Sequence, residues 1–373
     1  MNNRVLPGLY VHIPFCKTKC PYCDFYSITD NATLDKYIDA VITEAGLYRD
    51  IFREFDSLYF GGGTPSFADD KGFARLVTGL KDLFVFSPDS EITVEMNPDD
   101  VTKEKLSLYK PLGINRISLG VQSFNDKELV FLQRRHTATG AREAVHLIQS
   151  AGFTNFGIDL INGLPGQSAK HWMETLEEAS SFAPAHLSCY QLTINDETPF
   201  GKSVQEGTLK LPSDEKQRNL FLSTSQFLTD RGFVHYEVSN FAFGAASRSR
   251  HNMKYWSHVP YLGLGPGAHS FHDTIRWWNQ RSVEQYLTAL SKKEIPVGSS
   301  ERLSNEQLDL ERLFLGFRNI EGVKITDALE RSFNKIALKQ LIADKLIEVH
   351  DGKIIPTTTG YLVADRLPLM ISN

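Results

Sequence analysis

From residue 8 to about 190, short β-rich apolar runs alternate with stretches whose apolar residues recur at three-to-four spacing. This is the pattern of strand–helix units and a parallel sheet. Six strands are predicted: Leu9 to Ile13, Ser57 to Phe60, Glu91 to Glu95, Arg116 to Gly120, Asn155 to Leu160 and His186 to Leu192. Helices are predicted between them at Leu34 to Tyr48, Phe73 to Leu83 and Ala141 to Ala151. Right-handed crossovers curl such a sheet, so the fold class is α/β, a partial (β/α)6 TIM-like barrel. Past residue 200 the pattern loosens into Gly- and Ser-containing loops, a helix near Glu215 to Asp230, and an aromatic-rich stretch from His251 to Trp278 that fits no standard unit. From about Ser304 a helix, a second through Ile325 to Ser332, a third through Lys335 to Asp344, and a hairpin-like Leu346 to Pro356 read as a small winged-helix-like domain. The expected division is a core barrel at 1–235, a connecting segment at 236–300 and the winged-helix-like domain at 301–373.

The 373 residues leave room for two domains, or one large barrel with an appendage. With 41% hydrophobic and 23% charged residues, the composition is that of an ordinary globular protein. Forty basic residues against forty-five acidic ones give a net charge of -5, without the basic surplus that non-specific phosphate binding uses. Nucleic acid is therefore not an expected partner. No apolar stretch approaches the ~18 residues of a membrane-spanning helix, so an integral membrane protein is not expected. The run from Val5 to Phe15 carries Pro7, His12 and Pro14 and no small-residue cleavage site, and reads as mature sequence. Four cysteines are sparse, and three fall within eight positions, where short loops would strain a disulfide network. That points to a reducing compartment, the cytoplasm, and to a metal.

In barrels of this kind the active site is built from loops at the C-terminal ends of the strands. Here the first predicted strand is followed by Cys16, Cys20 and Cys23, and the second by Gly61-Gly62-Gly63-Thr64-Pro65. Asn97-Pro98 follows the third and Gln122-Ser123 the fourth, while the fifth ends near Asp159. Three thiolates with three and then two residues between them can face one inorganic cluster. A [4Fe–4S] cube takes four ligands, so three cysteines leave one iron open to a small chelating molecule. The alternative is a zinc site completed by a histidine, or three unrelated thiols. Cys189, on the sixth strand, reads as a core thiol. Three consecutive glycines permit close backbone approach, although alone they could mark only a tight turn.

The cysteine spacing on the loop after the first strand resembles the radical S-adenosylmethionine (SAM) superfamily, and the resemblance covers most of the chain. It implies that SAM chelates the open iron through its amino and carboxylate groups and is cleaved reductively to a 5′-deoxyadenosyl radical. It further implies SAM contacts at Tyr10, Tyr22, Gly62, Gly63, Thr64, Glu95, Gln122, Arg134 and Asp159. Carboxylates suit ribose hydroxyls or the ammonium, and a guanidinium suits the SAM carboxylate.

Within the superfamily, Tyr-Val-His-Ile-Pro-Phe-Cys at 10–16 and the GGGTP segment resemble the branch of oxygen-independent coproporphyrinogen III oxidase. The oxidase has a further cysteine two residues after the third ligand and a long N-terminal extension. This chain reads Cys23-Asp24-Phe25, with fifteen residues before Cys16. These departures resemble the heme-chaperone sister family, whose further mark is His-Asn-x-x-Tyr-Trp, matched here by His251-Asn252-Met253-Lys254-Tyr255-Trp256. The resemblance implies a chaperone that binds the cluster, SAM and heme and hands heme to acceptor proteins, membrane-associated ones included. His251 is the expected heme ligand, since a neutral imidazole is a common axial donor; otherwise it packs or hydrogen-bonds in a connecting segment. His269 and His136 are the other candidates. Two competing readings are oxidative decarboxylation of coproporphyrinogen III, and a regulator whose cluster senses iron or redox state while the C-terminal domain binds nucleic acid. The missing fourth cysteine argues against the former, and the acidic charge and the SAM constellation against the latter.

Overall fold

A computed structural model describes residues 5–326, 329 and 333–372. Its first half is six βα units. The strands are β1 (Gly8–Ile13), β2 (Glu54–Gly62), β3 (Val85–Met96), β4 (Arg116–Gln122), β5 (Phe156–Asn162) and β6 (His186–Gln191). They pair in that order, all parallel. Helices α1 (Leu34–Tyr48), α2 (Asp70–Leu83), α3 (Lys103–Tyr109), α4 (Asp126–Phe131), α5 (Ala138–Ser150) and α6 (Ala169–Ser181) return the chain. Their starts are set locally: Asp69, Thr137 and Ser168 cap α2, α5 and α6, each side chain accepting a backbone N–H of the first turn.

Strand alternation explains the cavity. Successive side chains point to opposite faces, and one set, including Leu58, Phe60, Val94, Ile117, Leu119, Ile158 and Leu187, is buried in the main apolar core. The alternate set, including Thr93, Glu95, Ser118, Gly120, Gly157, Asp159 and Ser188, lines an internal cavity of about 430 Å³. Ordinary barrels fill this space with bulky branched residues. Here small and polar ones leave it open.

The region without a sequence assignment extends the same sheet. After α7 (Pro199–Gln205) and α8 (Asp214–Thr229), the strands β7 (Phe233–Glu237) and β8 (Asn240–Phe243) add antiparallel pairs beyond β6. Helix α9 (Arg250–Trp256) then leads to β9 (Tyr261–Leu264), which runs parallel to β1. The antiparallel β10 (His269–His272), β11 (Ile275–Asn279) and β12 (Val297–Arg302) follow, with α10 (Val283–Ser291) between the last two. The sheet has twelve strands and open edges at β12 and β7. Residues 236–300 are therefore part of the sheet, not a connector. Glu44 on α1 anchors this extension: it accepts the Gly265 N–H at 2.8 Å, Asn279 Nδ2 at 2.6 Å and the Tyr286 hydroxyl at 2.5 Å. Burial pushes its carboxyl up to about 7.

Helix α11 (Asn305–Gly316) opens the C-terminal region with a capping box at Ser304 and Gln307. There β13 (Val323–Lys324), β15 (Lys353–Pro356) and β14 (Ile347–His350) form a three-stranded antiparallel sheet. With α12 (Lys335–Ala343), α13 (Thr358–Tyr361) and α14 (Leu367–Ile371), it surrounds a separate apolar cluster that includes Phe317, Leu341, Ile347, Ile354 and Leu367. The helix expected through Ile325 to Ser332 falls largely outside the described residues. Among the described residues no helix is long and apolar enough to cross a membrane.

Candidate functional site: a cysteine loop over a polar barrel

The loop after β1 carries Cys16, Cys20 and Cys23 to the mouth of the polar cavity, and all three line it. The loop is pinned to the glycine segment by backbone bonds. Gly63 N–H donates to the Ile13 carbonyl at 2.8 Å, and Thr64 N–H to that of Phe15 at 2.9 Å. A Cβ at Gly63 would stand 2.8 Å from the Ile13 oxygen and 2.9 Å from backbone atoms of Phe15. Only glycine admits this approach. At Gly62 the φ of +105° and the adjacent His12 ring make the same demand.

Side chains then reach the thiols. Thr64 Oγ1 lies 3.5 Å from Cys16 Sγ, and Arg134 Nη1 lies 3.5 Å from Cys20 Sγ. Burial pushes the Cys16 thiol up, and the Cys23 thiol up to about 11. Among the described residues, no group of three or more His, Cys, Asp or Glu could hold a single metal ion. A cube of iron and sulfide asks something different of three thiolates, since each ligates its own iron. Cys189 lies buried on β6 and does not line the cavity.

The cavity wall is a linked set of charges and amides. Arg134 Nη2 donates to Asn97 Oδ1 and, at 2.8 Å, to the Gly120 carbonyl. Asn97 in turn donates to Thr64 Oγ1 at 3.1 Å. Glu95 accepts the Tyr59 hydroxyl at 2.8 Å and the Gly62 N–H at 3.3 Å. Burial pushes its carboxyl up to about 7, and the neighbouring Asp159 adds to the effect. Asp159 accepts the Ser118 hydroxyl at 2.8 Å, and burial raises its carboxyl as well. Gln122, at the end of β4, adopts φ 68° beside a register shift that follows Gly120. A non-glycine residue there costs about 1–3 kcal/mol and marks functional sites more often than chance.

Two polar atoms decide whether this wall suits a ligand. Arg134 Nε and Asp159 Oδ1 are buried without a hydrogen-bond partner, and both residues line the cavity. Leaving such groups unmade is costly. A guanidinium and a carboxyl side chain on the wall of one polar space fit a zwitterionic, hydroxylated small molecule such as SAM.

Tyr22, Gly62, Gly63, Thr64, Glu95, Gln122, Arg134 and Asp159 all line this cavity. Tyr10 does not. It bonds His12 Nδ1 at 3.0 Å and borders a second cavity, formed against β9–β11. His251 borders neither. It is 1% exposed, its Nδ1 lies 3.0 Å from Ser57 Oγ, and its Nε2 lies 2.9 Å from the Tyr255 hydroxyl. With both nitrogens engaged and the ring stacked on Tyr59, it presents no free nitrogen to either cavity. Asn97, Tyr59, Ser118 and Ser188 were not assigned from sequence. The last three sit in register beside assigned residues on the next strand, Tyr59 beside Tyr10, Ser118 beside Glu95 and Ser188 beside Asp159, a pairing that the folded sheet sets.

A family model described as the radical SAM superfamily matches residues 10–179. A protein of Bacillus subtilis named heme chaperone HemW is 32% identical over 374 residues, covering 97% of this chain and 98% of its own length. The chain belongs to the HemW family of radical SAM proteins. A HemW of Synechocystis sp. is 36% identical over 324 residues, covering 84% of this chain and 78% of its own. The fold is shared with the HemN coproporphyrinogen III oxidase of Escherichia coli, at TM-score 0.82 and 24% identity over 98% of this chain and 90% of that one.

Proposed function

We propose that the chain is a heme chaperone. Its barrel mouth holds one [4Fe–4S] cluster on Cys16, Cys20 and Cys23, with SAM beside it, and it passes bound heme to acceptor proteins in the cytoplasm or at the membrane surface. The observation that carries the cofactor reading is the placing of Arg134 and Asp159, each with a buried polar atom that lacks a partner, on the wall of the same cavity as three thiols. The heme reading rests on the relatives' names.

Arg134 would pair with the SAM carboxylate, and backbone carbonyls of the 62–64 segment would accept its ammonium. Burial raises the carboxyls of Glu95 and Asp159, and both would serve as hydrogen-bond partners for ribose hydroxyls. Tyr22 and Gln122 would complete the wall near the thiols. Bound, the cluster supplies one-electron reduction of SAM. The polar lining meanwhile orients SAM, and the apolar shell outside the strands excludes water from the barrel walls. Residues 301–373 are proposed as a winged-helix-like appendage; the net charge of -5 makes a protein acceptor a better fit for this chain than nucleic acid.

Anaerobic reconstitution followed by parallel hemin titration and coproporphyrinogen III decarboxylation tests the proposal. Saturable heme binding without decarboxylation is expected. Robust conversion to protoporphyrinogen IX would replace it with the oxidase reading.

A further inference from the structure

We infer that the second cavity, between the 24–26 segment of the cysteine loop and the exposed face of β9–β11, seats the porphyrin, with His269 as the iron's imidazole ligand and Arg281 facing a propionate. The inference rests on the heme-chaperone reading and adds the seat and the ligand. The cavity encloses about 680 Å³, within the range of small-molecule and cofactor sites. Aromatic rings supply its walls: Phe25 and Tyr26 from the loop, Tyr255 and Tyr261 from the α9–β9 side, and Trp278 from β11. Phe25 is 61% exposed, a large apolar ring left open to solvent beside the cysteines.

The ligand follows from an accounting of imidazole nitrogens. Four histidines border the two cavities: His12, His136, His186 and His269. His12 is engaged at both nitrogens, by the Tyr10 hydroxyl and the Tyr26 carbonyl. His136 and His186 are each held at Nε2, by the Val121 carbonyl at 2.9 Å and the Tyr236 hydroxyl at 2.7 Å, and both border the first cavity rather than this one. His269 is exposed, and among the described residues its ring has no hydrogen-bond partner. Its position is nonetheless fixed. It pairs across strands with Trp278, the rings stacked at 5.5 Å and 24°. Partial burial lowers its pKa, as do the charges of Arg276 and Arg281.

Charge on the rim agrees with an anionic edge. Arg281 is exposed, makes no ion pair among the described residues, and donates only to the Asp24 carbonyl at 2.9 Å. The Asp24 side chain is the one carboxylate on this rim. The His-Asn-x-x-Tyr-Trp motif acquires a part in this geometry as well: His251 holds the Tyr255 hydroxyl, and Tyr255 forms the wall. His251 is thus a positioning residue for the seat.

Hemin titration of the reconstituted protein, read by Soret absorbance, tests this directly. Wild type is expected to bind with an imidazole-type spectrum. His269→Ala should bind at least about tenfold more weakly with an altered Soret band, and added free imidazole should restore the wild-type spectrum, which a merely structural lesion would not allow. Arg281→Ala should weaken binding while leaving the spectrum intact. SAM affinity should be unchanged in both variants. If wild type binds heme and His269→Ala matches it in spectrum and affinity, the seat is wrong and the chaperone reading stands. If wild type binds no heme, the chaperone reading falls, and the seat with it.

Discussion

Replacing His251 by alanine separates a buried positioning residue from an iron ligand. The imidazole is fully enclosed, and its removal leaves the hydroxyls of Ser57 and Tyr255 without the ring nitrogens they face at 3.0 and 2.9 Å. An unsatisfied buried polar group costs about 1–3 kcal/mol, and truncating a buried ring adds a cavity. Since the cavity and the two hydroxyls overlap in space, a total of about 3–5 kcal/mol is reasonable. Urea denaturation of the metal-free protein, His251→Ala against wild type, measures it as a lower midpoint at constant slope. His251→Gln, which keeps a donor and an acceptor, should recover part of the loss. Heme bound to His251→Ala should keep its imidazole-type spectrum, with weaker affinity because Tyr255 is released. An unchanged midpoint together with loss of that spectrum would refute the reasoning, since it would mean the ring is free to reach iron.

Cys20→Ser should abolish cluster iron and sulfide after reconstitution while Cys189→Ser retains both, because Cys189 lies buried on β6 away from the loop; iron and sulfide analysis decides, and the reverse pattern would overturn the ligand assignment. Arg134→Gln and Asp159→Asn should each weaken SAM binding by about 1.5–3 kcal/mol, the range for a charge-assisted hydrogen bond, and unchanged affinity in both by anaerobic calorimetry would remove them from the site. Gly63→Ala should prevent stable cluster loading, because its methyl group would strike backbone atoms of Ile13 and Phe15; full iron content in that variant would contradict the close approach. For pH, His12, His136 and His235 are lowered by burial to about 4 and His251 to about 3. They stabilise the fold above the unfolded histidine pKa and lose that as pH falls. Glu44, Glu95 and Glu237 are raised by burial to about 7, and stabilise it below the unfolded glutamate pKa, losing this as pH rises. At about 1.4 kcal/mol per pH unit and group, the two sets roughly offset between pH 7 and 5, and the histidine loss prevails below about pH 4.5. Denaturation midpoints of the metal-free protein should therefore be flat and then fall, and a midpoint that rises below pH 4.5 would contradict the burial of those rings.

The parallel half of the fold was legible in the sequence because each strand is a short apolar run bounded by glycine or proline turns, and because helices such as Leu34–Tyr48 carry a regular apolar stripe. The thiol loop and its glycine neighbour were legible for a chemical reason, since tight cysteine spacing and Gly61-Gly62-Gly63 have few other uses. Residues 236–300 were not legible. Their strands are only four to six residues long, and their place depends on β9 returning across more than two hundred residues to pair with β1, a non-local contact that no local pattern encodes. The same limit left the surroundings of Tyr10 and His251 unread. A motif shows which residue types occur together, but the side of a strand that a ring occupies is settled by sheet curvature and by partners such as Ser57, 194 positions away from His251. His269 was an alternative ligand in the sequence, and its unpartnered ring at the second cavity is seen only in the folded chain.

The central claim, delivery of heme, is tested most directly by the kinetics of handing heme over. Heme-loaded, cluster-reconstituted protein is mixed with increasing amounts of heme-depleted membranes, and loss of its Soret signal is followed. Delivery through a complex predicts a transfer rate that rises with acceptor concentration above the rate of spontaneous heme release. A rate equal to spontaneous release at every acceptor concentration would contradict the chaperone account.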